Sequence, residues 1–204
     1  MSEVNDTSGG GADDQKAVEE LIGFLEPATR LDIRRTALQY VIALSAALDG
    51  SAARLFMAND FAMGKCTQLA YDSAKTEQML ANVSARLLTN LSRHFPDRVH
   101  QLLGEHDSHV LDVLLEMFLT KLDDSTPSLI GYTLVNLSTL STVRHRLVES
   151  KLYQKICPLT TVEDKKEMAV DILRNLAFED GFFIGFGIST KAKSISAASY
   201  GLIT

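Results

Sequence analysis

The chain has 204 residues, enough for one ordinary domain or a run of small repeats, and its 46% hydrophobic content suffices for a sizeable core. A net charge of −6, from 20 basic against 26 acidic side chains, argues against non-specific nucleic-acid binding, which needs clustered cations. The longest apolar stretch, ALQYVIALSAAL at 37–48, is interrupted by polar groups and falls short of the ~18 residues of a membrane span, so no membrane partner is expected.

Residues 1–14, MSEVNDTSGGGADD, are acidic and Gly-rich and are predicted to be a disordered leader. They have neither a basic n-region nor an apolar h-region, so no secretory or mitochondrial address is read there. Cys66 and Cys157 form no disulfide framework. Two reduced thiols fit the cytoplasm, with the nucleus also open. The N-x-[ST] patterns at Asn5, Asn82, Asn90 and Asn136 then meet no glycosyltransferase and call for another explanation.

From Lys16 to about Phe183 apolar residues recur every three or four positions, with no period-2 stretch. The expectation is an all-α repeat domain over 15–183, followed by a Gly/Ser/Ala-rich tail over 184–204. Breaks fall at EPATRLD (26–32), LDGS (48–51), HFPD (94–97) and DDSTPS (123–128), the last supplying N-cap candidates. Thr161 with Asp164 reads as a weak capping box.

Four segments align on one phrase: ALQYVIALSAAL, SARLLTNLSRHF, GYTLVNLSTLST and VDILRNLAFEDG. Their leucines, Leu44, Leu91, Leu137 and Leu176, recur roughly every 40–47 residues, the armadillo/HEAT spacing. Ahead of them stand Val41, Leu88, Leu134 and Leu173, then Ala37, Ser84, Ile130 and Ala169, an apolar stripe at helical spacing. Two shorter helices fit into each interval: SAARLFM with DFAMGKCTQLAYD, RVHQLLG with SHVLDVLLEMFLTKL, and VRHRLVES with KLYQKICPL. The predicted fold is an armadillo/HEAT-like right-handed solenoid of about four three-helix repeats.

Asn90, Asn136 and Asn175 precede three of the marked leucines, with Ala43 in the first copy. An amide has two donors and one acceptor. It either bonds the inter-repeat loop and fixes superhelix curvature, or lines a groove and holds the backbone of an extended partner; both uses are compatible. Gln39, Arg86, Tyr132 and Asp171 stand one turn earlier. The chain has no Trp, which argues against a receptor that sandwiches lysine stems between indoles.

No catalytic, cofactor or metal site is predicted. His100, His106, His109 and Asp107 form the densest ionisable cluster, but His106 and His109 straddle an expected loop-to-helix junction. Cys66, beside Lys65, reads as a buried inert thiol. The pairs Asp123–Asp124 and Glu179–Asp180 sit at helix ends, and neither GGGADD nor GFFIGFG has the Lys of a phosphate loop.

The ordered phrases LIGFLEPATRLDIRRTALQYVIALS, LLTNLSR, YTLVNLSTLSTVRHRLVE and AVDILRNLAFEDGFF, spanning about 17–183, resemble the HGH-homolog family of armadillo-like proteins. That family carries LLxFL, LLxNLSR, NL(S/T)…RxxL and GxLRNxxFE segments in this order; Asp171 stands here where the last has Gly. The resemblance implies a non-enzymatic cytosolic cochaperone that binds newly made elongation factor 2 and recruits the cytosolic chaperonin. Carried over, its groove residues are those named above, Asn90, Asn136 and Asn175 foremost. It also implies further repeats beyond the last segment, so the chain is expected to be the N-terminal half of such a protein with a divergent tail. A general adaptor for another client and a fragment of impaired function are the competing readings, and an enzyme is the reading from a different class.

Overall fold

A computed structural model describes residues 10–46, 59–121, 125–179, 181 and 182. The predicted helix at 51–57, the LDGS break, Asp123, Asp124, Asp180, leader residues 1–9 and the 184–204 tail lie outside the described residues. Within them every regular element is helical, and no strand occurs: the protein is all-α.

The chain divides into two compact units, residues 1–133 and 134–204. The first holds α1 (Gly10–Gly23), α2 (Leu31–Ser45), α3 (Asp60–Thr76), α4 (Gln78–His94), α5 (Pro96–His106) and α6 (Val110–Leu119). The division falls inside α7 (Thr126–Leu137); the second unit continues with α8 (Ser141–Glu149), α9 (Tyr153–Ile156), a 3-10 helix (Cys157–Thr161) and α10 (Lys166–Leu176). The marked segments are α2, α4, α7 and α10. Two elements, α5 and α6, separate α4 from α7, and α8 and α9 with its 3-10 extension separate α7 from α10. α1 starts at Gly10, inside the stretch assigned to the leader.

Local chemistry explains the boundaries. The Asn59 side chain accepts from the Ala62 amide at 3.1 Å and opens α3. Pro96 opens α5, where its missing N–H costs nothing. The predicted helix KLYQKICPL is interrupted twice. Lys151 adopts φ 55° in a Schellman turn closing α8, its N–H bonded to Val148 O and that of Leu152 to Leu147 O. Pro158, which has no N–H to continue the α-helical ladder, then tightens the chain into the 3-10 helix. The expected capping box at Thr161 is not formed: that hydroxyl donates to Pro158 O at 3.0 Å, and α10 begins only at Lys166.

In the first unit α3 packs on α4 and α5, and α2 packs on α4. Met63, Cys66 and Tyr71 of α3 and Leu80, Leu87, Leu88 and Leu91 of α4 are at most 1% exposed, so the core lies between these helices. In the second, Val143, Leu147, Tyr153, Ile156, Met168, Ile172 and Leu176 are buried, and the rings of Tyr153 and Phe182 meet edge-on at 5.5 Å. The predicted stripe holds with two corrections: Leu44 and Leu173 are only half-buried. On α2 the inward face is Arg34, Ala37, Leu38, Val41 and Ser45, and on α10 it is Met168, Ala169, Ile172 and Leu176. Both faces are rotated by about one position from the phrase, so Leu38 and Ile172 take the core places.

Asp107 ties the α5–α6 junction to α3. One carboxylate oxygen accepts from the His109 amide at 2.8 Å, the other from the Tyr71 hydroxyl at 2.9 Å and from Lys75 Nζ at 3.4 Å. The His109 amide foremost, then Tyr71 and Lys75, hold the Asp107 carboxyl below its ordinary range, while burial and the adjacent carboxylate push the Tyr71 phenol up. A depressed carboxyl contributes stability that is fully present above its unfolded pKa and is lost as pH falls through the lower folded value. Tyr71→Phe is therefore expected to cost about 1–2 kcal/mol at neutral pH. That difference should shrink below about pH 4, as Asp107 protonates in both proteins. Urea unfolding across pH checks this; a pH-independent difference would mean the bond contributes nothing through the carboxylate.

Candidate functional site

The recurrent Asn-Leu-small phrase has a definite structural use in each unit. Asn90 of α4 donates through Nδ2 to Ser45 Oγ at the end of α2, at 3.1 Å. Asn175 of α10 donates through Nδ2 to Ser138 Oγ just beyond α7, at 2.9 Å, and to Val135 O at 3.3 Å. Both serines are fully buried, and each sends its own hydroxyl hydrogen to the carbonyl three residues back, Ser45 to Ile42 at 2.9 Å and Ser138 to Val135 at 2.7 Å. With the hydroxyl hydrogen committed to its own helix, the remaining lone pairs are aimed at the incoming amide. Ser92 has the same back-bond, to Thr89 O at 3.0 Å.

The sequence arrangement follows this logic. The first copy, ALS at 43–45, has the serine acceptor and no asparagine; the copies at 90–92 and 136–138 have both; the last, NLA at 175–177, has the donor and no hydroxyl. At Asn90 and Asn175 the phrase thus carries a bond from one marked helix to the marked segment before it in the same unit. The serines are the part that sequence reasoning missed, although the third letter of the phrase carries the signal. Of the two uses considered for the amides, a bond to a connecting segment is seen for Asn175, whose partner Ser138 follows α7, whereas Asn90 bonds Ser45 within α2 itself. Both asparagines are half-buried, and their side-chain carbonyls meet no partner among the described residues. Asn136 is half-buried as well.

A second clamp holds α2 against the α3–α4 junction. Arg34, only 8% exposed, extends both terminal guanidinium nitrogens to the two carboxylate oxygens of Glu77 at 3.1 Å each. This fork-on-fork geometry fixes direction as well as distance. On the other side of α4, Thr89 Oγ1 donates to Leu129 O of α7 at 2.8 Å, and Asn82 Nδ2 reaches Ser125 Oγ at 2.6 Å. α4 therefore lies between α2 and α7, with Asn90 turned to one neighbour and Thr89 to the other. Arg86, one turn earlier, lies on the open face between them.

Gln39 of α2, Arg86 of α4 and Tyr132 of α7 are all exposed in the first unit, Tyr132 at 40%. Asp171, in the second unit, is half-buried and paired with Arg174 at 2.6 Å. The discounted chemistry has structural uses. Cys66 is buried and its thiol is pushed up to about 12 by desolvation. Lys65 pairs instead with Glu26. Glu179 accepts from His145 at 3.2 Å and faces Arg144 at 3.8 Å. His106 and His109 are exposed, whereas His100 is half-buried and held below its ordinary range by that burial. Among the described residues no group of three or more side chains could hold a metal ion, and no helix is long and apolar enough to cross a membrane.

Fold and site together define an all-helical protein whose marked helices are registered by side-chain hydrogen bonds. The sequence matches no family model and none of the curated proteins. Its structure is similar to the crystal structure of an engineered protein, with a TM-score of 0.61 at 18% identity, over 79% of this chain. The chain spans 62% of the length of that protein. At this identity the likeness concerns the fold alone.

Because Asn90 and Ser45 serve mainly each other, their substitutions should not add. In a double-mutant cycle of Asn90→Ala and Ser45→Ala, urea unfolding is expected to give a coupling of about 1 kcal/mol. Additive losses would show that the two side chains stabilise the fold independently.

Proposed function

We propose that this chain is a non-enzymatic protein-binding module built of armadillo-like three-helix repeats, acting as a cochaperone for elongation factor 2 in the cytoplasm. The observation that carries the reading is the repeated bond from an asparagine on one marked helix to a serine on the one before. It registers helices whose open faces hold Gln39, Arg86 and Tyr132, and it leaves the amide carbonyls available. An acceptor at that place suits the backbone N–H of an extended partner, which gives affinity without demanding one sequence. Further support comes from the ordered phrases shared with the HGH-homolog family, which point to nascent elongation factor 2 as client and to the cytosolic chaperonin as its destination. By the same resemblance Asn136 and Asn175 of the second unit are further client-binding candidates, with Asp171 on the same helix as Asn175.

The test is co-precipitation. Elongation factor 2 is synthesised in a eukaryotic cell-free extract containing the tagged chain, and the captured material is probed for the factor and for chaperonin subunits. Both should be enriched several-fold over an unrelated helical protein. Elongation factor 2 at background would overturn the client assignment, and capture of some other newly made protein instead would favour a general adaptor.

A further inference from the structure

Three arginines share the open side of α2 and α4 and are unpaired: Arg35, Arg86 and Arg93 are exposed, and none meets a carboxylate among the described residues. This is unexpected in a chain of net charge −6. α4 and α7 contain no acidic residue, and the single acid of α2, Asp32, is bound by Arg30 at 2.8 Å. Glu77, at the start of α4, is taken by Arg34. Among the described residues the face is thus cationic with no counter-charge.

Apolar contact area lies beside the charge. Met79 is 67% exposed and Tyr132 is 40% exposed. Met79, Arg86 and Arg93 recur at a spacing of seven along α4, which keeps them on one side of the helix. Arg86 and Arg93 are therefore separated by about 10 Å along the axis. In an extended chain of polyproline-II form, which rises about 3.1 Å per residue and turns once every three, carboxylates three residues apart lie on one side and span nearly the same distance. Arginine is suited to planar carboxylate recognition, and an exposed methionine adapts to varied apolar side chains.

We propose that the α2–α4–α7 face of residues 1–133 docks an extended acidic segment of a partner protein, its carboxylates on Arg35, Arg86 and Arg93 and its apolar side chains against Met79 and Tyr132. This deepens the protein-binding reading and rests on it. The partner chemistry follows from charge complementarity, which sets encounter rate and register more than total affinity.

The probe is a fluorescein-labelled peptide of repeated Glu-Leu-Ser triplets, followed by anisotropy, with a Gln-Leu-Ser copy for comparison. The acidic peptide should bind, more weakly as salt rises, and the neutral copy should not. The double variant Arg86→Glu/Arg93→Glu should lose about tenfold in affinity, whereas Lys16→Glu, an exposed change on α1, should leave it unchanged. Circular dichroism of each variant verifies that the fold is retained. Equal binding of both peptides, undiminished binding by the double variant, or arginine-dependent self-association without peptide binding would overturn the proposal. Co-precipitation separates it from the client assignment. Elongation factor 2 retained by the double variant sinks the acidic docking face alone, whereas arginine-dependent peptide binding without capture of the factor sinks the client alone.

Discussion

A buried serine hydroxyl that has already spent its hydrogen on its own helix can be satisfied further only by a donor from outside. In each unit of this protein that donor is an asparagine amide on a later marked helix, Asn90 for Ser45 and Asn175 for Ser138. The net gain from such a bond is modest, about 1 kcal/mol, but leaving a buried polar group unmatched costs up to ~3 kcal/mol. A slip of one helix along its neighbour would incur that cost while leaving most apolar contact intact. Apolar burial therefore supplies cohesion, and the hydrogen bond supplies register.

The open surface follows from the same constraint. On α4, Asn90 and Thr89 are drawn to neighbours on opposite sides, so the residues between them have nowhere to go but outward. Arg34 and Glu77 reinforce the arrangement by fixing α2 at the point where α3 turns into α4. The surface is thus divided within α4 itself: one side is leucine-filled, the flanks make polar bonds, and the remainder carries exposed Met79, Arg86 and Arg93, with no carboxylate partner for either arginine among the described residues.

Much of this organisation is legible in the sequence because helical periodicity is a local signal. The stretches that became α2 to α8 and α10 announce themselves by apolar spacing, and the Asn-Leu phrase marks which helices correspond. What the letters do not contain is direction. Nothing local shows that Asn90 turns back toward Ser45, because the partner lies far off in sequence and its hydroxyl must first be oriented by Ile42. The same gap explains Leu44 and Leu173: a leucine stripe beside Leu38 or Ile172 is compatible with two rotations of the helix, and only packing chooses between them. The predicted helix across Pro158 fails for a different reason, since one missing N–H in a short segment outweighs its apolar pattern. Of the groove candidates, Gln39, Arg86 and Tyr132 were legible as outward residues, whereas Arg35, Met79 and Arg93 stand out only once the pairing of the nearby carboxylates is known.

The most direct test of the register argument is the state of the asparagine side chains themselves. In a ¹⁵N-labelled sample, the Nδ2 protons of Asn90 and Asn175 can be assigned by comparison with Asn90→Ala and Asn175→Ala, and their exchange with water followed. The account predicts one strongly protected, shifted Nδ2 proton on each residue, with protection at Asn90 lost in Ser45→Ala. Side-chain amides that exchange as fast as those of a free peptide would contradict it, because they would show that these residues face water rather than the preceding helix.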